Sequence, residues 1–235
     1  MKKNRTKRIL SMLLTLFMVL TLVPMTAFAA NAPANEVTIN GVTLNSSYPY
    51  LVSGASSSSG GLNGAACTAH FNASTGTLSL WNYNGSAIAA GDAGDAKDLT
   101  VKLKGTNMIT GDLRNPIDGG NLIITAEEDA FLNITNSGNS AGLLAGISTY
   151  YSETTNLGGG SISITGKANI TISVTNTSTD VYAKSYGLHA RQGISISDSA
   201  SLDVTSTCHS SYDYRVYGIY TEHQSFTANT SGVIR

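Results

Sequence analysis

The chain has 235 residues, of which 14 are basic and 15 acidic, so its formal net charge is −1. The basic residues outside the N-terminus are scattered, which excludes the basic patch that nucleic-acid binding requires. Charged residues make up only 12% of the chain while Gly, Ser, Thr and Asn are abundant, a composition that favours short strands and turns over helices.

The first 29 residues have the pattern of a secretory signal peptide. Basic residues at positions 2, 3, 5, 7 and 8 precede an almost wholly apolar run over 9–23, and Ala27-Phe28-Ala29 supplies a cleavage site. An uncleaved anchor is the alternative, but the run is shorter than the roughly 20 residues of a spanning helix, and Pro24 interrupts it. Cleavage after Ala29 leaves nine basic and 15 acidic residues, a net charge of −6, on a secreted or cell-surface, extracellular chain without a membrane span.

Residues 30–97 are predicted to form an irregular N-terminal β region that caps the rest of the chain. Alternating residues over 37–44 surround Asn40-Gly41 and predict a β-hairpin, because Asn-Gly suits the tight turn between antiparallel strands. Residues 53–64 are rich in Ser and Gly and predict a mobile loop.

Two cysteines, Cys67 and Cys208, lie far apart in the sequence. Export permits a disulfide between them, but bonding also requires that their Cα atoms lie within roughly 7 Å of each other. The sequence therefore allows either a disulfide between Cys67 and Cys208 or two free thiols.

Residues 98–235 contain a 32-residue repeat. Ile162, Ile164, Ala168, Ile170 and Ile172 recur as Ile194, Ile196, Ala200, Leu202 and Val204, and a third pass ends at Ile234. Apolar residues alternate with Ser, Thr or Asn, as in strands with one buried face. Because stacked units share one core, the sequence predicts an all-β fold, a right-handed parallel β-helix over 98–235, with Ile164 against Ile196 and Ile170 against Leu202. A β-sandwich is the alternative, and the strand at the last residues predicts that the natural protein continues.

Tyrosines are concentrated in the repeats. Tyr186-Gly187-Leu188 recurs 31 residues later as Tyr217-Gly218-Ile219, a register that places His189 beside Tyr220. An aromatic row flanked by polar and charged groups suits a polysaccharide, because rings cover sugar faces and polar groups bind hydroxyls. The candidate ligand-binding residues are Tyr182, Tyr186, His189, Arg191, Tyr212, Tyr214, Arg215, Tyr217 and Tyr220. For Tyr186 and Tyr217 the alternative is that the rings only stack and stabilise the sheet.

Two acidic clusters are candidate cation sites. Asp92, Asp95 and Asp98 lie three residues apart in a Gly-containing loop, and residues 127–129 are Glu-Glu-Asp. Calcium takes several carboxylate and carbonyl oxygens, and we take Asp92, Asp95 and Asp98 as the candidate metal ligands. Neither cluster matches the twelve-residue calcium loop, so a solvated acidic turn is the alternative for both.

Several segments together resemble a known family. The leader, residues 37–42, 75–80 and 99–107, and the Tyr-Gly-Ile and Ile-x-Ile repeats look like the carbohydrate-binding β-helix proteins secreted by Gram-positive anaerobic bacteria. The resemblance spans most of the mature chain. It implies an architecture similar to that of pectate lyases, and binding of calcium and of acidic or cellulosic polysaccharides without cleavage.

We therefore expect a non-catalytic extracellular polysaccharide-binding β-helix with calcium as a candidate cofactor. The alternatives are a polysaccharide lyase or glycoside hydrolase on the same scaffold, and a structural or adhesive surface repeat protein. Enzymatic activity stays open, and no catalytic residue is assigned, because the chain has neither an Asp-Asp pair nor Gly-His-Gly. A groove lined by carboxylates with an Arg or Lys would favour an enzyme, whereas a flat tyrosine-lined face would favour binding.

Overall fold

The computed structural model describes residues 31–91, 97–116, 119–149, 159–210 and 215–235, and these residues form strands and turns without an α-helix. The strands are β1 (Ala32–Pro33), β2 (Glu36–Ile39), β3 (Val42–Asn45), β4 (Tyr50–Val52), β5 (Ala55–Ser57), β6 (Cys67–Asn72), β7 (Thr77–Trp81), β8 (Asn84–Ala90), β9 (Lys97–Lys104), β10 (Thr106–Arg114), β11 (Leu122–Gly138), β12 (Leu143–Ser148), β13 (Ile162–Asn176), β14 (Lys184–Ala190), β15 (Ile194–Asp198), β16 (Ser201–Cys208), β17 (Val216–Thr221) and β18 (Phe226–Thr230). Over the described ranges no helix has the length and hydrophobicity needed to cross a membrane. The all-β prediction is confirmed.

Successive repeats pair in parallel along three ladders. The first joins β7, β9, the start of β11, the start of β13, β15 and β18. The second joins β8, β10, the rest of β11, the rest of β13 and β16, and the third joins the ends of β8 and β10 to β12, β14 and β17. Together with the N-terminal strands, these ladders form one nearly closed, barrel-like sheet around the core.

The predicted 32-residue register is confirmed. Ile164 pairs with Ile196 and Ile170 with Leu202, and each of these side chains is buried. Alternation explains this arrangement, because every second residue of β13 faces the core while the Ser, Thr and Asn between them face outward. A β-sandwich requires antiparallel pairing and does not fit these ladders.

Strands β2 to β6 pair antiparallel: β2 and β3 lie at one end of the third ladder, beside β8, and β4 to β6 lie at one end of the first ladder, beside β7. Strand β1 pairs in parallel with β9. Asn40 and Gly41 both have positive φ, 52° and 73°, and join β2 to β3 in the predicted hairpin. Strand β2 then pairs antiparallel with β8, so the hairpin lies at the end of the third ladder.

The prediction of a loop throughout residues 53–64 is wrong in its first part. Residues 55–57 form β5, which pairs with β4. The physical reason is the turn at Ser53-Gly54, where both residues have positive φ and reverse the chain tightly enough for backbone pairing.

Buried asparagines connect one repeat to the next at the corners between ladders. Asn176 is fully buried, donates from Nδ2 to the carbonyls of Ser140 (3.0 Å) and Lys184 (3.0 Å), and accepts from the backbone N–H of Ser140 (3.1 Å). Asn107 is also fully buried and joins the backbone of Tyr83 to that of the next repeat. These amides satisfy backbone groups that leave the ladders at each corner.

Close packing explains the glycine of the repeated Tyr186-Gly187-Leu188 segment. A Cβ at Gly187 would collide with the Val204 side chain and the Gly218 carbonyl, because β14 crosses β16 at close range there. Gly187 therefore occupies a position between two ladders where there is no room for a side chain.

Both cysteines are free, which answers the question that the sequence left open. Cys67 is buried on β6, and Cys208 is half-buried at the end of β16.

Candidate functional site

The third ladder brings together the repeated aromatic residues. Tyr186 pairs with Tyr217 and His189 with Tyr220 across β14 and β17, so the predicted 31-residue register is confirmed. We call Tyr186, His189, Tyr217 and Tyr220 the aromatic cluster.

The four rings pack on one another. The Tyr186 ring centroid lies 5.4 Å from that of Tyr217, 4.9 Å from that of Tyr220 and 4.9 Å from that of His189. The Tyr217 and Tyr220 centroids are 5.0 Å apart. Distances of this size stabilise neighbouring strands through ring–ring contact.

The exposure of these rings differs from the predicted open row. Tyr186 is only 6% exposed and His189 only 2%, so neither presents a face to a ligand; for Tyr186 the stacking alternative fits. Tyr217 is 37% exposed, Tyr220 is half-buried, and Tyr182, in the turn before β14, is 67% exposed. The reason is that large rings three residues apart on adjacent strands cover one another, and only the outer members stay accessible.

His189 is held neutral within this cluster. Burial, together with the smaller effect of the positive charge of Lys184, lowers the pKa of His189 to about 4. Its Nε2 lies 3.3 Å from Oε1 of Glu222. Burial, together with the negative charge of Glu222, raises the pKa of Tyr220, so its hydroxyl stays protonated.

Two arginines that were predicted to bind a ligand, Arg191 and Arg215, border the aromatic cluster. The Arg191 Nε donates to Nε2 of His223 at 3.3 Å, and the guanidinium carbon of Arg215 lies 5.6 Å from the centroid of the Tyr182 ring. Arg215 and Tyr182 therefore form a cation–ring pair at the surface. Two predicted tyrosines, Tyr212 and Tyr214, lie outside the described residues.

The predicted aspartate cluster is described only at Asp98, because Asp92 and Asp95 lie outside the described residues. Oδ1 of Asp98 accepts hydrogen bonds from Nδ2 of Asn31 (2.8 Å), from the backbone N–H of Asn121 (2.8 Å) and from its Nδ2 (3.0 Å). Asp98 thus ties a corner together. Within the described ranges no three His, Cys, Asp or Glu side chains are grouped to hold a metal ion.

A groove of about 630 Å³ lies on the outer face of the first ladder, at a place the tyrosine pattern did not indicate. Its lining consists of Leu62, Ser79, Leu80, Lys102, Leu103, Lys104, Gly105, Thr125, Ala126, Glu127, Glu128 and Asp129. Ser79, Lys102 and Thr125 are in register on β7, β9 and β11, and they form a polar row across three strands.

The charges of the groove are positioned by specific contacts. Nζ of Lys102 lies 3.2 Å from Oε1 of Glu127, and Nζ of Lys104 lies 3.7 Å from the centroid of the Trp81 ring. An irregularity of β11 between Ala126 and Ala130 turns the three acidic side chains outward. In the sequence, only the acidic triplet Glu127, Glu128 and Asp129 indicated a site here, because the residues that line the groove come from four separate segments of the chain.

Comparisons of the chain with known protein families, with characterised proteins and with solved structures found no match.

Proposed function

We propose that this chain is an exported right-handed parallel β-helix that binds a polysaccharide outside the cytoplasm without cleaving it, with calcium as a candidate cofactor. The observation that carries the proposal is the exposure of the Tyr182 and Tyr217 rings, with the half-buried Tyr220 ring packed against that of Tyr217. Rings at an exposed surface cover the apolar faces of sugars, and hydroxyls and charged groups beside them bind sugar hydroxyls.

Two features of this surface favour a polymer over a small molecule. Tyr217 and Tyr220 belong to a strand of a repeating ladder, so their rings lie on a rigid element. Arg215 adds a donor beside Tyr182. A rigid surface that makes several weak contacts gains affinity from a repeating polymer, because each further contact becomes intramolecular.

The test is binding of the mature chain to a panel of immobilised glycans, with and without a chelator. Tyr182→Ala should weaken binding roughly tenfold while leaving the melting temperature nearly unchanged. Tyr217→Ala should weaken binding by a similar factor and cost about 0.5–1.5 kcal/mol of stability, because it removes ring contacts with Tyr186 and Tyr220. Tyr48→Ala is the matched control, because Tyr48 is 52% exposed and lies between β3 and β4, at the opposite end of the third ladder from β17. Loss of stability without loss of binding would assign these rings to the fold, and no effect of the chelator would exclude calcium.

The groove favours a second candidate, a polysaccharide lyase or glycoside hydrolase. Its lining combines three carboxylates with Lys102 and Lys104, which are the residue types of acid–base chemistry. The acidic side chains are exposed, however, whereas the general acid of a glycosidase is shielded from water. Steady release of unsaturated uronates or reducing ends by the mature chain would establish the enzyme and contradict the binding-only proposal.

A further inference from the structure

The groove on the first ladder offers a saccharide a second site, separate from the aromatic surface on the third ladder. From its lining we infer that it binds an uncharged sugar unit through adjacent hydroxyls, an inference that rests on the proposed glycan binding. Its volume, about 630 Å³, lies within the roughly 300–1,000 Å³ of ligand pockets.

The groove places hydrogen-bond donors beside acceptors. A sugar hydroxyl both donates and accepts, so two neighbouring hydroxyls are best bound where a cationic donor and a carboxylate acceptor lie side by side. Lys102 and Glu127 lie side by side in this way, 3.2 Å apart. Ser79 and Thr125 flank Lys102 in register and add hydroxyls that serve either role.

The lining of the groove also has an apolar part. Leu62 borders the groove, from a segment whose Gly64 packs directly against the Trp81 ring. An aliphatic wall opposite polar groups matches a sugar, which has C–H faces as well as hydroxyls.

The charge of the lining selects the class of sugar. Two lysines and three carboxylates leave the lining with a net charge of −1, and the chain after cleavage carries −6. Uronate polymers are therefore repelled, whereas each charged group can still bind the hydroxyls of a neutral sugar.

Trp81 provides a direct reporter of this site. It is the one tryptophan of the chain, and the ammonium of Lys104, which lines the groove, lies 3.7 Å from its ring centroid. A sugar that binds Lys104 changes the surroundings of the indole. Intrinsic tryptophan fluorescence therefore distinguishes the groove from the tyrosine-lined surface.

The experiment titrates the mature chain with neutral hexose oligosaccharides and with polygalacturonate, and follows fluorescence and calorimetric heat together. We expect a saturable fluorescence change with a neutral oligosaccharide alone. Lys102→Ala and Glu127→Ala should each weaken this response roughly tenfold. Arg114→Ala, which removes an exposed cation from the third ladder and not from the groove, should leave it unchanged.

The possible results separate the two claims. Calorimetric binding of a neutral glycan without a fluorescence change, or with normal affinity in both groove variants, would overturn the groove site and leave the proposed function standing. A stronger response to polygalacturonate would overturn the neutral-sugar assignment. Absence of heat and fluorescence change with every glycan would contradict both. Thermal unfolding of each variant checks that the two substituted groove residues, both exposed charges, do not act through folding.

Discussion

Because His189 is buried, we predict that the protein becomes less stable as the pH falls from 6.5 towards 4. In the unfolded chain a histidine titrates near 6.5, whereas burial lowers the pKa of folded His189 to about 4. Between these values the unfolded state binds a proton that the folded state excludes. Stability from this group is therefore constant above pH 6.5, decreases as the pH falls, and is lowest below pH 4.

The magnitude follows from the two pKa values. Linkage gives a loss of about 2 kcal/mol in the free energy of unfolding between pH 7 and pH 5, and about 3 kcal/mol if the titration is complete. The side chain of His189 is only 3% exposed, so solvent screening reduces this loss little. The lowered pKa already includes the repulsion by Lys184, whereas Glu222, 3.3 Å from Nε2, favours the charged imidazolium.

The assay is urea unfolding of the mature chain at pH 7, 6 and 5, for the wild type and for His189→Gln. Glutamine keeps a polar side chain but does not titrate, so the difference between the two proteins isolates His189 from the carboxyl groups that titrate at lower pH. His209→Gln, at an exposed site, is the control and should keep the wild-type slope. Equal pH dependence of wild type and His189→Gln would refute the reasoning.

Three further predictions concern the scaffold. Gly187→Ala should cost about 1–3 kcal/mol of stability, because its new methyl meets Val204, and unchanged denaturant unfolding would contradict the close packing of β14 on β16. Asn176→Ala should cost about 3 kcal/mol, because buried backbone groups lose their partners; a loss below about 1 kcal/mol would mean that water replaces the amide. Burial raises the pKa of the Cys67 thiol, so a thiol reagent at pH 8 should modify Cys208 well before Cys67, as peptide mapping would reveal, and equal rates would refute the burial.

Local sequence patterns determined the strands and their register. Ile164 and Ile196 could be matched because side chains of a strand alternate with a period of two and the repeat length is constant. Asn40-Gly41 could be assigned to a hairpin because both residues tolerate positive φ. Both signals depend on residues close in sequence or on an exact repeat, and neither requires knowledge of the surroundings.

Exposure and long-range proximity were decided by the tertiary structure alone. The repeat placed Tyr186 beside Tyr217, but only the packing of Tyr220 and His189 around it decided that Tyr186 is covered. The groove required Leu62 and Lys102 to meet the acidic triplet of β11 across segments with no common periodicity. A pattern along the chain specifies which face of a strand is buried, but the accessibility of an outward side chain depends on neighbours that only the folded chain brings together.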